Sequence, residues 1–246
     1  MYRVPWSRTP VVCDLMSVIV AAMHPDGIIV CADRATTHPG PGPFPGVPNI
    51  GPAPGKLLLS PTGCVAALAG IGATHDGEVN LLELMQQVIS VCSSGVQAAV
   101  AVKDLFESQS AKVLHDQDDP VWRDTIMHTH VITAALVAGP GRDGPELDHV
   151  SLPRDGVVGL QSLKAPGLAM GPDLAQIDLD RAAQDSSHEA TLDTAATVLT
   201  DAIGRASVQS PAMVSSDCDL VILTRDGTSH IHEQRFSDKA SVPPGA

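Results

Sequence analysis

Ser17 and Asp33 open and close one short stretch of the chain, and together they are its first candidates for chemistry. Residues 17–23 form an apolar, β-branched run. His24-Pro25-Asp26-Gly27 is a turn sequence, and residues 28–32 form a second apolar run that ends on Asp33-Arg34. The two runs are close to equal in length, so antiparallel pairing returns Asp33 to the neighbourhood of Ser17. A carboxylate there can orient or charge-balance the groups that activate a serine hydroxyl, a weak nucleophile until a neighbour takes its proton. The same residues also fit an ordinary hairpin whose Asp33-Arg34 pair caps a strand.

Other constellations carry less. His128-x-His130 and His230-x-His232 each put two imidazoles on one strand face. That is half of a metal site with no third ligand fixed by the sequence, and ordinary polar strand faces account for it as well. Gly139, Gly141 and Gly144 spell G-x-G-x-x-G after a strand. Pro145 and a returning strand follow, where dinucleotide binding needs a helix, so the stretch reads as a hairpin turn. There is no P-loop, G-x-S-x-G or H-E-x-x-H. No cofactor and no metal are expected.

The elements that must position Ser17 and Asp33 follow from pattern. Residues 38–54 are a Pro/Gly-rich loop that cannot be helix or central strand. Residues 56–60 and 64–70, joined by Pro61-Thr62-Gly63, make a second hairpin. Residues 76–93 carry Leu81, Leu84, Met85, Val88 and Cys92 at helical spacing, and residues 96–113 continue as a second helix. A strand at 130–138 returns at 146–152, and short strands follow at 157–163 and 167–170. Residues 173–183 and 190–206 are helical, the latter repeating Leu192, Ala195, Ala196, Leu199 and Ile203. A hairpin of 219–224 and 228–232 closes the order, and no internal repeat is present. The order suggests two antiparallel sheets between helical layers, though pattern alone gives only an α+β fold.

The ordered set Asp26-Gly27-Ile28-Ile29-Val30-Cys31-Ala32-Asp33-Arg34, then Gly55-Lys56-Leu57-Leu58-Leu59, then Val65-Ala66-Ala67-Leu68-Ala69-Gly70 resembles the start of proteasome-type β-subunits and the bacterial HslV protease. These are N-terminal-nucleophile hydrolases. The resemblance implies a four-layer αββα sandwich of two antiparallel sheets flanked by helices. Carried back from Asp33, the family spacing lands the nucleophile on Ser17. It implies that Lys56 lies beside Ser17 and is held by Asp33, and that the Gly70 backbone N–H stabilises the oxyanion. Cys13, the other candidate for an N-terminal nucleophile, misses that spacing by four residues. Residues 1–16 then become a leader or a mis-assigned start, 17–235 a single domain, and 236–246 a frayed tail. A start at Met16 would expose the Ser17 amine by methionine removal. A start at Met1 leaves Ser17 an ordinary strand residue.

Departures from the family pattern are specific. Serine replaces the family threonine and lacks the methyl that fixes its rotamer. Val18 replaces a second threonine. The family's helping serine falls at Pro172, in Met170-Gly171-Pro172-Asp173. In its second support motif, Ser215 or Ser216 stands without an aspartate three residues before it.

Composition sets the outer bounds. The 246 residues are 43% hydrophobic, enough for one sizeable core, but only 2% aromatic, so that core is aliphatic. A net charge of −13 argues against nucleic acid and anionic membranes. Cys13, Cys31, Cys64, Cys92 and Cys218 form no C-x-x-C pair and read as buried thiols in a reducing, cytoplasmic setting. No apolar run is long enough to span a bilayer. The expected function is a peptidase subunit acting on polypeptides in a homo-oligomeric ring, with an ATPase unfoldase as partner. A catalytically inactive structural subunit of the same fold and a small-substrate amidohydrolase are the alternatives.

Overall fold

The computed structural model describes residues 17–38, 49–52, 55–74, 78–116, 130–164, 166–211, 214–226 and 229–235. The expected leader at 1–16, the tail at 236–246, Cys13 and His128 lie outside them. Strands β1 (Ile19–His24) and β2 (Gly27–Asp33) form the first hairpin, in the register that pairs Ile19 with Ala32. They sit inside a five-stranded antiparallel sheet ordered β10-β1-β2-β11-β12, with β10 at Gly167–Met170, β11 at Asp217–Thr224 and β12 at Ser229–Arg235. A second five-stranded antiparallel sheet runs β5 (Leu57–Leu59), β6 (Val65–Gly70), β7 (Val131–Gly139), β8 (Glu146–Pro153) and β9 (Gly159–Ser162).

Four helices among the described residues cover the outer faces. Helix α1 (Leu81–Ser90) begins later than its apolar period suggests. Asn80 ends the preceding bridge and caps the helix by accepting from the Glu83 amide. Helix α2 (Gly95–Asp116) packs with α1 on the second sheet, where Phe106, Met85 and Ile132 are buried together. Helices α3 (Asp173–Ser186) and α4 (Leu192–Gln209) pack on the first sheet, through Leu179, Leu199 and Ile203 against Val20 and Ile29. A Thr191–Thr194 capping box starts α4. Between the sheets lies a third layer rich in alanine, with Ala21, Ala32, Ala67, Ala69, Ala134 and Ala138 among its members. The result is the αββα sandwich. Its aliphatic core accounts for a chain so poor in aromatics.

Two local details bear on the site. Strand β3 (Ala35–His38), which leads into the Pro/Gly-rich stretch, pairs with β4 (Asn49–Pro52) near its far end, as a two-stranded ribbon outside both large sheets. The G-x-G-x-x-G stretch is the β7–β8 hairpin turn, with Gly144 at φ +136°. The four described cysteines are buried free thiols. No helix among the described residues is long and apolar enough to cross a membrane.

Candidate active site

The β1–β2 ladder is continued by one bond, from the Asp33 amide to the Val18 carbonyl at 3.0 Å. This sets Val18 against Asp33 and leaves Ser17 one residue beyond, at the open end of the hairpin. Asp33 is fully buried, and its carboxylate gathers donors from three elements. Lys56 Nζ donates to Oδ1 at 2.6 Å, the Val18 amide to the same oxygen at 2.9 Å, and the Ser215 amide to Oδ2 at 3.1 Å. Lys56 is itself 4% exposed and stands just before β5, on the other sheet. The pair therefore joins the two sheets at the end where Ser17 emerges. Burial pushes the Lys56 ammonium below the ordinary lysine value, and the charge and hydrogen bond of Asp33 oppose that shift.

Gly70 ends β6 at φ +93°, a conformation glycine takes without strain. An added Cβ would fall 2.3 Å from the Ile132 carbonyl oxygen. In the β5–β6 ladder the Leu68 amide donates to the Lys56 carbonyl at 3.2 Å, so by alternation the Gly70 N–H points to the side of Lys56 and away from β7. No described residue accepts from it. An N–H so placed can receive a developing negative charge. The Ser17 hydroxyl likewise has no hydrogen-bond partner among the described residues, and Ser17 is 6% exposed.

The structure thus brings Ser17, Asp33, Lys56 and Gly70 to one end of the sandwich. It also shows what holds them. Arg34 donates from Nε to Asp219 Oδ1 at 2.8 Å, with Nη2 at 2.7 Å from the same oxygen. Asp219 is 4% exposed, and its Oδ2 occupies the space beside Gly55, where a Cβ would lie 2.2 Å away. The Arg34–Asp219 pair thereby fixes the backbone from which Lys56 departs. Sequence reasoning missed it. The available signal was an aspartate at 219 among the inward residues of an apolar strand. Ser215 reaches the site through its backbone amide and not its hydroxyl, which instead accepts from the Asp217 amide at 3.0 Å. At Pro172 the family hydroxyl is absent. The Gly171-Pro172 turn is held by Gln176, whose Oε1 accepts from Gly171 N and whose Nε2 donates to the Ala169 carbonyl.

Because Arg34 prevents Asp219 from swinging aside, Gly55→Ala must displace either the carboxylate or the strand start. We expect a loss of about 1–3 kcal/mol in chemical denaturation. Unchanged stability would show that Asp219 is free to move.

No protein-family model matches the chain, and no curated protein matches it by sequence. Solved structures do match by shape. An Anbu mutant (Gly-1) from Hyphomicrobium sp. strain MC1 superposes with a TM-score of 0.58 at 19% identity, over 91% of this chain and 89% of that one. The fold is that of the Anbu proteins. Anbu from Yersinia bercovieri, described as an ancestral beta-subunit, gives 0.59 at 18% identity over 89% of this chain and 87% of its own. The helical assembly of the Anbu complex from Pseudomonas aeruginosa gives 0.58 at 18% identity over 90% and 88%. This corrects the family expectation. The matched structures are Anbu proteins, proteasome-like but distinct from the proteasome β-subunits and HslV that the sequence motifs suggested.

Of the histidine pairs, His130 is exposed and the side chains of β12 lie outside the described residues. Among the described residues, no group of three His, Cys, Asp or Glu could hold a metal ion.

Proposed function

We propose that the chain is an N-terminal-nucleophile hydrolase of Anbu-like fold that cleaves peptide bonds, with Ser17 as its nucleophile once the residues before it are removed. One observation carries this: the buried Lys56–Asp33 pair is locked onto the Val18 amide, one residue from Ser17. The freed α-amine, with an ordinary pKa of about 8, takes the proton from the Ser17 hydroxyl. The Lys56 charge beside it favours the unprotonated amine. The hydroxyl oxygen then bonds to the scissile carbonyl carbon while the Gly70 N–H bears the oxyanion. The carbon–nitrogen bond breaks as the proton passes to the leaving amine, and water hydrolyses the acyl-serine.

The helical assembly formed by the Pseudomonas aeruginosa relative supports a homo-oligomer of this chain, ring or helix. An ATPase unfoldase partner, polypeptide substrates and a cytoplasmic setting belong to the same proposal. The Gly171-Pro172 turn favours a second reading, an inactive structural subunit, because it offers no hydroxyl beside Ser17. A small-substrate amidohydrolase shares the chemistry but predicts a small oligomer, which the mass on size exclusion separates.

The test is the intact mass and N-terminal sequence of the protein from its native host, followed by turnover of fluorogenic peptides. A chain beginning at Ser17 that cleaves peptides supports the peptidase. A chain beginning at Met1 or Tyr2, and inert, supports the structural subunit.

A further inference from the structure

We propose that β9 is a self-association edge: two copies of the chain pair their β9 strands antiparallel about a two-fold axis and join their second sheets into one. Strand β9 ends that sheet, and all four of its residues are exposed. Its ladder to β8 continues with the Leu163 amide donating to the Leu147 carbonyl at 2.9 Å. By alternation, Gly159 and Gln161 also bond toward β8. The N–H and C=O groups of Val158, Leu160 and Ser162 therefore point outward. No strand among the described residues pairs with them.

Two other edges of the large sheets, β5 and β10, each carry a side-chain contact. The Gln86 side chain donates to the Leu59 carbonyl on β5, and the Gln176 side chain to the Ala169 carbonyl on β10. Among the described residues no such side-chain contact falls on β9, and beyond its short length of four residues it lacks the charge and proline that guard an open edge. Residues 157–163 hold no charge and no proline, while Val157 is 70% and Leu160 37% exposed.

The occupant follows from register and charge. Outward-bonding residues must face outward-bonding residues, and of the registers that satisfy this the one that overlaps residues 157–163 in full puts Leu160 on the axis opposite itself, with Val158 facing Ser162 of the other copy. The exposed Asp155 and Lys164 bracket the strand, one of each sign. In this register Lys164 falls opposite the partner's Gly156, next to the partner's Asp155, and the two-fold repeats the pair at the other end. Two copies each carrying a net charge of −13 repel over most of their surface. An uncharged strand with one cation and one anion at its ends is where such a copy can dock. The contact is isologous and independent of the peptidase proposal.

The test uses the full chain with single substitutions. Under oxidised glutathione, L160C forms a disulfide-linked dimer on a non-reducing gel, whereas S162C and the unsubstituted chain do not. Two copies of residue 160 meet on the axis, and two copies of residue 162 stand four strand positions apart. In sedimentation equilibrium, L160P halves the mass. It removes an outward N–H that makes no bond to β8, a place where an edge strand accepts proline, and circular dichroism checks that it folds. Equal cross-linking of L160C and S162C, no cross-linking of L160C, or a folded L160P of unchanged mass each overturns the proposal. If L160P fails to fold, the cysteine pair decides alone.

Discussion

Replacing Asp33 with alanine is expected to cost the fold about 3–5 kcal/mol, the range for breaking a buried ion pair from one side. Three donors lose their acceptor together: the Lys56 ammonium and the amides of Val18 and Ser215. Two of them cannot be repaid by water, for Val18 is fully buried and Lys56 nearly so, while Ser215 is half-buried. For a chain of this size the melting temperature should fall by roughly 10 °C. The deficit should depend on pH with a definite sign. Burial already lowers the Lys56 pKa, and Asp33 supplies the opposing effects. Without Asp33 the folded lysine titrates lower still, so across that interval the unfolded chain binds more protons than the folded one. Stability of the variant then rises with pH toward the ordinary lysine range. Urea melts of both proteins between neutral and alkaline pH check this. A deficit that widens with pH would show that Lys56 is not buried as a charged group in the variant.

Ser17→Ala should leave stability within about 0.5 kcal/mol, because the Ser17 hydroxyl has no described partner to lose. If Ser17 is the nucleophile, the same change lowers peptide turnover by about 10³-fold or more, since the acyl-serine can no longer form. The combination separates this residue from Asp33, whose loss should damage fold and turnover together. Unaltered turnover in a folded Ser17→Ala protein would remove Ser17 from the mechanism. Loss of turnover with intact assembly would exclude a purely structural role.

The parts of the site that local pattern could reach were legible in the sequence. Two runs of near-equal length around Pro25-Asp26 set the β1–β2 register, and that register alone brings Asp33 back to Val18. Helices α2 and α4 followed from their apolar period. What pattern could not reach is polar and distant. Arg34 meets Asp219 across 185 positions, and Asp33 meets Ser215 across 182. Neither contact has a periodicity to announce it, and the Ser215 contact uses a backbone amide that any residue type could supply. The pairing of β3 with β4 was hidden for another reason. Its strands are four residues each, one leading into and one near the far end of a stretch whose prolines argue against regular structure. Family assignment failed at a different level. The matched structures share the fold at 18–19% identity, so the motifs found the fold but not the branch.

The two sheets are drawn from different parts of the chain. The second is one contiguous block, residues 57 to 162, whereas the first takes β1 and β2 from before that block and β10, β11 and β12 from after it. Ser17 and Asp33 thus leave the ribosome early, while Ser215 and Asp219, which complete their support, follow some 182 positions after Asp33. At ribosomal speeds of about 5–20 residues per second, that is a delay of roughly 10–40 s. During it the middle block can pair its own strands, and the end that holds Ser17 and Asp33 stays unassembled. If Ser17 is the nucleophile, a nascent chain carrying it is harmless to its surroundings until nearly the whole of it has been made.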